Sequence, residues 1–440
     1  MVSRSIFRSY DIRGIFGADM ATEDAEKLGY VMAGQVKCDV VVGMDMRSSS
    51  AQMKKMLASG INRAGFAVHD VGLVPLGVAM FYAWKRAMPL AYVTASHLPR
   101  EWTGMKFFHA DGRGFAEKEN DEIRDGFFAL NRMADDKSNV NAVDSSAAIR
   151  EYIAYLTSRL KAKKKMHVAL DCGNGMASVV AKRLFGEAGF DVQGIYDVLS
   201  ETPSRNSEPN IDPLAELRKA KKDVGIAYDG DADRMILADE AGNVLGAEQS
   251  SYLILSKLAP TEKGDVVANI ECSMSLDNVA QEFSRSVHRQ PVGHTFIVDA
   301  AHKLKACFGV ESAGHYIIPS LLPFDDAMAV SLYAAVALSE RNEALSATAA
   351  RVPRYPFGRF AFDCSDDRKF TVIEKLKRIF PNAEKMDGVL VREAGGWALM
   401  RASNTSPMIR LTVESRNEKT FAALKEKFST ALRKAMEESD

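Results

Sequence analysis

The chain has 440 residues, of which 47% are hydrophobic, 26% charged and 8% aromatic, a composition that suits several folded domains and excludes a disordered, collagen-like or disulfide-scaffold protein. Fifty-seven Lys and Arg balance 58 Asp and Glu, for a net charge of −1. This argues against a dedicated nucleic-acid binder and requires any anionic ligand to be met by a local cluster of cations. The first twenty residues contain no apolar run suited to a signal peptide and no stretch approaches ~18 apolar residues, so a cytoplasmic protein without a membrane span is expected. Five cysteines without CxxC pairing read as buried thiols of a reducing compartment.

In chain order, Asp39–Asp45 (DVVVGMD), Val168–Asp171 (VALD) and Val266–Glu271 (VVANIE) are short β-rich runs that end near an acidic residue and lead into helical patterns. Continuous apolar runs of this kind suit strands covered on both faces, and their spacing of about a hundred residues predicts three related α/β units. The polar stretch Ala134–Ser146 marks a first boundary, the Gly-containing turn Glu240–Gly246 a second near residue 248, and the two prolines of Arg351–Gly358 a third. The expected units are therefore 1–146, 147–248, 249–353 and 354–440. Ala327–Leu338 reads as a core helix. The last unit reads strand, helix, three strands, helix. Phe421, Leu424, Phe428 and Leu432 form one apolar stripe on its final helix, which predicts an α+β unit.

Three loops carry the chemistry. Thr94–Lys106 (TASHLPREWTGMK) follows the β-rich run Leu90–Val93 and sets Ser96 beside His97, with Lys106 a turn later. These residues could serve as a hydroxyl nucleophile with cationic or proton-transferring neighbours, or merely satisfy the backbone of a loop. No GxSxG elbow accompanies them. Asp229–Arg234 (DGDADR) places three carboxylates at i, i+2 and i+4 between strand-like runs. Converging carboxylates select a hard cation such as Mg²⁺ or Ca²⁺. An EF-hand is disfavoured because Arg234 takes the place of its glycine, so a strand-end metal loop is preferred to a solvated acidic turn. Arg401–Arg410 (RASNTSPMIR) supplies hydroxyl and amide donors beside a guanidinium, as a phosphate cradle or as ordinary turn chemistry. Val310–His315 (VESAGH), Val292–His294 (VGH) and Tyr10–Gly14 (YDIRG) add a carboxylate, two histidines and an arginine. Zinc spacing and a complete dinucleotide loop are both absent.

In this order, YDIRG, TASHLPREWTGMK, DGDADR, VESAGH and RASNTSPMIR resemble the α-D-phosphohexomutase family, particularly its phosphomannomutase/phosphoglucomutase members. The resemblance spans essentially the whole chain. It implies three related α/β domains and a C-terminal α+β domain around one central cleft. It implies that Ser96 is a phosphoserine nucleophile and that Asp229, Asp231 and Asp233, with a phosphoserine oxygen on Ser96, hold one Mg²⁺. It places Arg13, Arg234 and Lys106 around the reacting phosphate, with Lys106 and His294 as acid/base candidates and Tyr10 and His97 in support. Glu311 would bind sugar hydroxyls, and Arg401, Ser403, Asn404, Thr405 and Arg410 the non-reacting phosphate end. The implied reaction interconverts hexose 1- and 6-phosphates, of mannose and/or glucose, through a hexose 1,6-bisphosphate, in a monomer or homodimer, with the fourth domain moving to admit and enclose the ligand. Leu98 and Thr103 replace asparagines of the family pattern, and Val310 and Ala313 replace its Gly and Ser. The loss of that hydroxyl bears on sugar choice, leaving a phosphoglucosamine mutase, a sugar-phosphate binding protein without turnover and a metal-dependent phosphatase as alternatives.

Overall fold

The computed structural model describes residues 2–135, 139–403 and 407–437, arranged on four sheets. Across the first sheet the strands run Ile12–Ile15, Trp102–Phe108, Leu90–Val93, Val40–Met44, Val68–Leu73 and Val140–Ala142. Trp102–Phe108 is antiparallel to both of its neighbours and the remaining pairs are parallel. Its inner strands read VVVGM and LAYV, apolar on both faces because helices cover both. The polar stretch after residue 134 is more than a linker. Val140–Ala142, exposed throughout, adds the sixth strand beside Val68–Asp70. Apolar patterning misses such a strand, because an edge held by backbone bonds needs little buried surface.

The second and third sheets repeat one plan with four strands each. Met235–Ala238, Val224–Tyr228, His167–Asp171 and Asp191–Ile195 form one, and Val287–Gln290, Val266–Asn269, Phe308–Val310 and Tyr316–Ile317 the other. In each, three strands are parallel and one edge strand is antiparallel. The predicted core helix spans Ala327–Ser339 and every one of its residues is buried. In the fourth unit Phe357–Asp363, Met408–Ser415, Gly396–Ala402 and Val389–Glu393 are all antiparallel. The helices Lys369–Ile379 and Glu418–Glu437 pack on that sheet, where Leu424, Phe428 and Leu432 are buried and Phe421 lies at the margin of their core. Four of the five cysteines are buried; Cys38 is exposed, against the expectation. Among the described residues no helix is long and apolar enough to cross a membrane.

Candidate active site

Strand ends from three sheets converge on Ser96. The Leu90–Val93 strand delivers the Thr94–Glu101 loop, in which Ser96 is buried and adopts a left-handed φ of 50°. Few L-residues take that conformation without support. Here the Ser96 amide donates to Thr94 Oγ1 at 2.8 Å, and the Arg47 guanidinium binds the carbonyls of Ser96, Leu98 and Pro99, each at 2.7 Å, and that of Trp102 at 3.2 Å. Arg47 is itself fixed by Asp45, to which its Nε donates at 3.2 Å. The second unit reaches the same loop through Gly230, where a Cβ would lie 2.5 Å from the Ser96 carbonyl. Only glycine permits that approach.

The Ser96 hydroxyl donates to Asp229 Oδ2 at 2.9 Å and lies 3.4 Å from His97 Nδ1. Asp229, Asp231 and Asp233 are buried, with one ligand oxygen from each within 4.8 Å of the others. Burial and the neighbouring Asp233 and Asp231 push the Asp229 carboxyl well above the usual range. Asp233 is held well below it, because Lys106 and the histidines outweigh its burial. Lys106 Nζ donates to Asp231 Oδ2 at 2.9 Å and Asp233 Oδ2 at 2.6 Å, and these carboxylates keep it an ammonium despite burial. Asp231 Oδ1 and Asp233 Oδ1 are buried without a hydrogen-bond partner. Unpaired buried carboxylate oxygens are costly, and an octahedral oxygen-seeking cation such as Mg²⁺ fits this donor set.

Cations and histidines ring the cluster. Arg13, on the Ile12–Ile15 strand, is buried, pairs with Asp11 at 2.6 Å and leaves its Nε unbonded. Arg234 donates through Nε to His315 Nε2 at 2.9 Å and through Nη1 to Glu208 at 3.0 Å. Burial, with Arg234 and Arg13, pushes His97 far below its ordinary pKa, so its ring is neutral. His294 and His315 stack with ring centroids 4.8 Å apart and both place Nδ1 on one oxygen of Asp325, at 3.1 and 3.0 Å. Against the penalty of burial, Asp325 raises the pKa of His294. These two rings are nearly parallel, so no ion lies in both ring planes and the His-His-Asp group is a hydrogen-bond cluster. The Tyr10 ring meets His294 edge-on, and burial and Asp11 push its phenol up to about 12.

A cleft of about 720 Å³ opens in front of Ser96 and His97. Tyr10, Arg234, Glu311, Arg401, Ser403 and Arg410 also line it, with Arg234 4.0 Å from the Asp229 carboxylate that Ser96 meets. Lys106, Arg13, His294 and the three aspartates are buried beside this cleft rather than lining it. Asn404 and Thr405 lie outside the described residues. Arg47, Glu208 and Asp325 also meet these groups, and no motif in the sequence marks them. Arg47 follows the first β-rich run and Asp325 precedes a core helix, which are positional signals, whereas Glu208 sits in a polar loop without one.

Four sequence profiles described as phosphoglucomutase/phosphomannomutase domains match the chain in order: domain I at residues 4–133, domain II at 150–242, domain III at 238–355 and the C-terminal domain at 361–431. A probable phosphoglucosamine mutase of Methanosarcina acetivorans is 32% identical, over 94% of this chain and 96% of the relative. A phosphoglucomutase/phosphomannomutase family protein of Burkholderia thailandensis has the same fold, with a TM-score of 0.89 at 23% identity over 100% of this chain and 99% of that one. The Aspergillus fumigatus N-acetylphosphoglucosamine mutase, solved with GlcNAc-6P and magnesium, superposes with a TM-score of 0.62 at 14% identity over 99% of this chain and 96% of that one. With profiles of all four domains in order and a relative matched over nearly its full length, the chain belongs to the phosphoglucomutase/phosphomannomutase family of α-D-phosphohexomutases.

Proposed function

We propose that the protein moves a phosphoryl group reversibly between the 1- and 6-positions of a hexose phosphate, mannose and/or glucose, through phosphorylated Ser96 and a hexose 1,6-bisphosphate. The observation that carries this reading is the buried Ser96 hydroxyl 2.9 Å from Asp229, at the edge of a three-carboxylate cluster and on a cleft that Arg234, Arg401 and Arg410 also line. Asp229, Asp231 and Asp233, with an oxygen of the Ser96 phosphate, are the residues to hold Mg²⁺. When bound, that ion offsets negative charge on the transferring oxygens.

The chain's own groups do the rest. Arg13, whose Nε has no partner, and Arg234 are the cations for the reacting phosphate, and Lys106, held charged by two carboxylates, adds a third. The attacking sugar hydroxyl gives up its proton as its oxygen bonds to phosphorus and the bond to Ser96 Oγ breaks. His294, with Nδ1 on Asp325, has Nε2 for that proton. Lys106 serves better as a donor than as a base while its two carboxylates hold it. Glu311 and Tyr10 meet the sugar, and the Arg401–Arg410 segment holds the phosphate that is not reacting. Exchange of the sugar's ends then returns the second phosphoryl group to Ser96.

The SNTSP sequence of the phosphate segment, resembling phosphomannomutases, favours mannose and glucose. The name of the Methanosarcina relative favours glucosamine as a second reading. Turnover with Mg²⁺ and catalytic hexose 1,6-bisphosphate, compared as kcat/KM on mannose, glucose and glucosamine 1-phosphates, decides between them. The expected result is turnover of the first two well above the third, abolished in Ser96→Ala. Preference for glucosamine 1-phosphate establishes the second reading, and no turnover of any of the three overturns both.

A further inference from the structure

The cleft carries a cationic cluster larger than the Arg401–Arg410 segment. In the antiparallel register Arg401 lies opposite Arg410, and Arg359 lies opposite Thr412, two residues along from Arg410. With the period of two along a strand, all three arginines project from one face of the sheet, and all three line the cleft. Arg359 comes from the Phe357–Asp363 strand, 42 residues before Arg401 in sequence.

Between them stands Glu271, just beyond the Val266–Asn269 strand of the third unit. Its Oε1 accepts from Arg401 Nε at 2.8 Å, and its Oε2 lies 3.5 Å from Arg359 Nη2. Arg359 Nη2 also donates to Ser312 Oγ at 2.9 Å. Glu271 and Arg401 are buried, with side chains 5% and 6% exposed, whereas Arg359 is 36% exposed. Arg410 has no side-chain hydrogen bond among the described residues. Burial and repulsion from Arg401 hold its pKa below the ordinary arginine value. A half-buried guanidinium beside two others, with one carboxylate shared by its neighbours, lacks an anion.

We propose that Arg359 is a direct ligand of the phosphate at the non-reacting end of the substrate, and that Glu271 is a positioning residue that fixes Arg359 and Arg401 on its two carboxylate oxygens. The proposal rests on the hexose-phosphate reading above and extends it by one ligand and one strut. The pairing engages the Nε of Arg401 and one terminal nitrogen of Arg359. The remaining N–H donors keep the planar fork geometry that suits phosphate oxygens. Without the carboxylate, the two guanidiniums would repel each other and spread.

Because Arg359 is one-third exposed, Arg359→Ala tests ligation without emptying a core. Calorimetric titration with inorganic phosphate and with glucose 1-phosphate, alongside steady-state kinetics, is expected to show affinity lowered about 10- to 100-fold in Arg359→Ala, the loss of one charge-assisted contact. KM rises accordingly while kcat stays within about threefold. Glu271→Gln, of the same shape, is expected to raise KM in the same direction, and Arg359→Lys to recover part of the affinity; a merely structural pair would alter stability and leave KM alone. Arg359→Ala with wild-type phosphate affinity and KM overturns the proposal. If the wild type binds phosphate in an Arg359-dependent manner but neither binds nor turns over hexose phosphates, the anion site stands and the mutase reading falls. If the wild type binds neither, both fall.

Discussion

The Arg47 guanidinium fills the inside of the Ser96 loop, where four carbonyls would otherwise face one another around a buried space. Its five N–H donors in a rigid plane satisfy all four and still reach Asp45. Lysine keeps the charge and offers three donors from one point, so it cannot span the loop. Arg47→Lys is therefore expected to fold and to lose kcat about 10- to 100-fold with a smaller change in KM, since a nucleophile displaced by roughly an ångström costs about two orders of magnitude. Steady-state kinetics and a thermal melt check this; wild-type kcat would show that the loop holds its shape without the fork. Arg47 acts through the conformation of Ser96, whose carbonyl it holds.

At the scale of elements, the start of the Ala327–Ser339 helix ties three units together. Asp326 caps it by accepting from the Ala329 amide at 3.0 Å and also accepts from the Tyr152 hydroxyl of the second unit at 2.8 Å. Gly77 of the first unit packs so closely that a Cβ would lie 2.3 Å from Asp326 Oδ2. Burial pushes the Asp326 carboxyl up to about 6, above its value in an unfolded chain. The protonated form is therefore the one the fold favours. Its contribution is present below the unfolded pKa near 4 and is lost as pH rises through about 6, to the extent of about 3 kcal/mol. Asp326→Asn keeps a capping acceptor and removes this titration. Urea unfolding at pH 4.5 and pH 7 is expected to show the variant gaining stability relative to wild type as pH rises; a difference independent of pH would mean that Asp326 is not strained by its charge.

Across the whole molecule, one apolar core runs without interruption through the first three units, from Phe81 and Tyr152 to Tyr228, Leu253 and Leu332. The fourth unit has its own core around Val372, Leu411 and Phe428. It meets the third through a small cluster of Ile270, Leu390, Trp397 and Leu399 and through polar contacts such as the Met274 amide donating to Glu414 Oε2 at 2.8 Å. Cores that share little surface unfold with little cooperativity. Two calorimetric transitions are expected, and Phe428→Ala, which removes about 3–5 kcal/mol of packing, should lower one midpoint and leave the other in place. A single transition shifted as a whole would show that the polar contacts couple the units fully. The same separation supports the proposal that the fourth unit moves to admit and enclose the ligand.

Local rules account for part of this arrangement. The runs DVVVGMD and VALD become buried strands because continuous apolar residues need cover on both faces. The strand, helix, three-strand, helix order of the last unit follows from its periodicity, and Asp229, Asp231 and Asp233 are close in space because they are close in sequence. The tertiary structure alone decided which distant side chains meet. Lys106 lies between two of those aspartates, Arg47 inside the serine loop, Asp325 beneath two histidines and Arg359 beside Arg401, each pairing made across a gap that no local pattern spans. The carboxylate or carbonyl that meets each of these cations or histidines comes from another segment of the chain. Such partners are set by how sheets pack and approach, and are therefore absent from any window of the sequence.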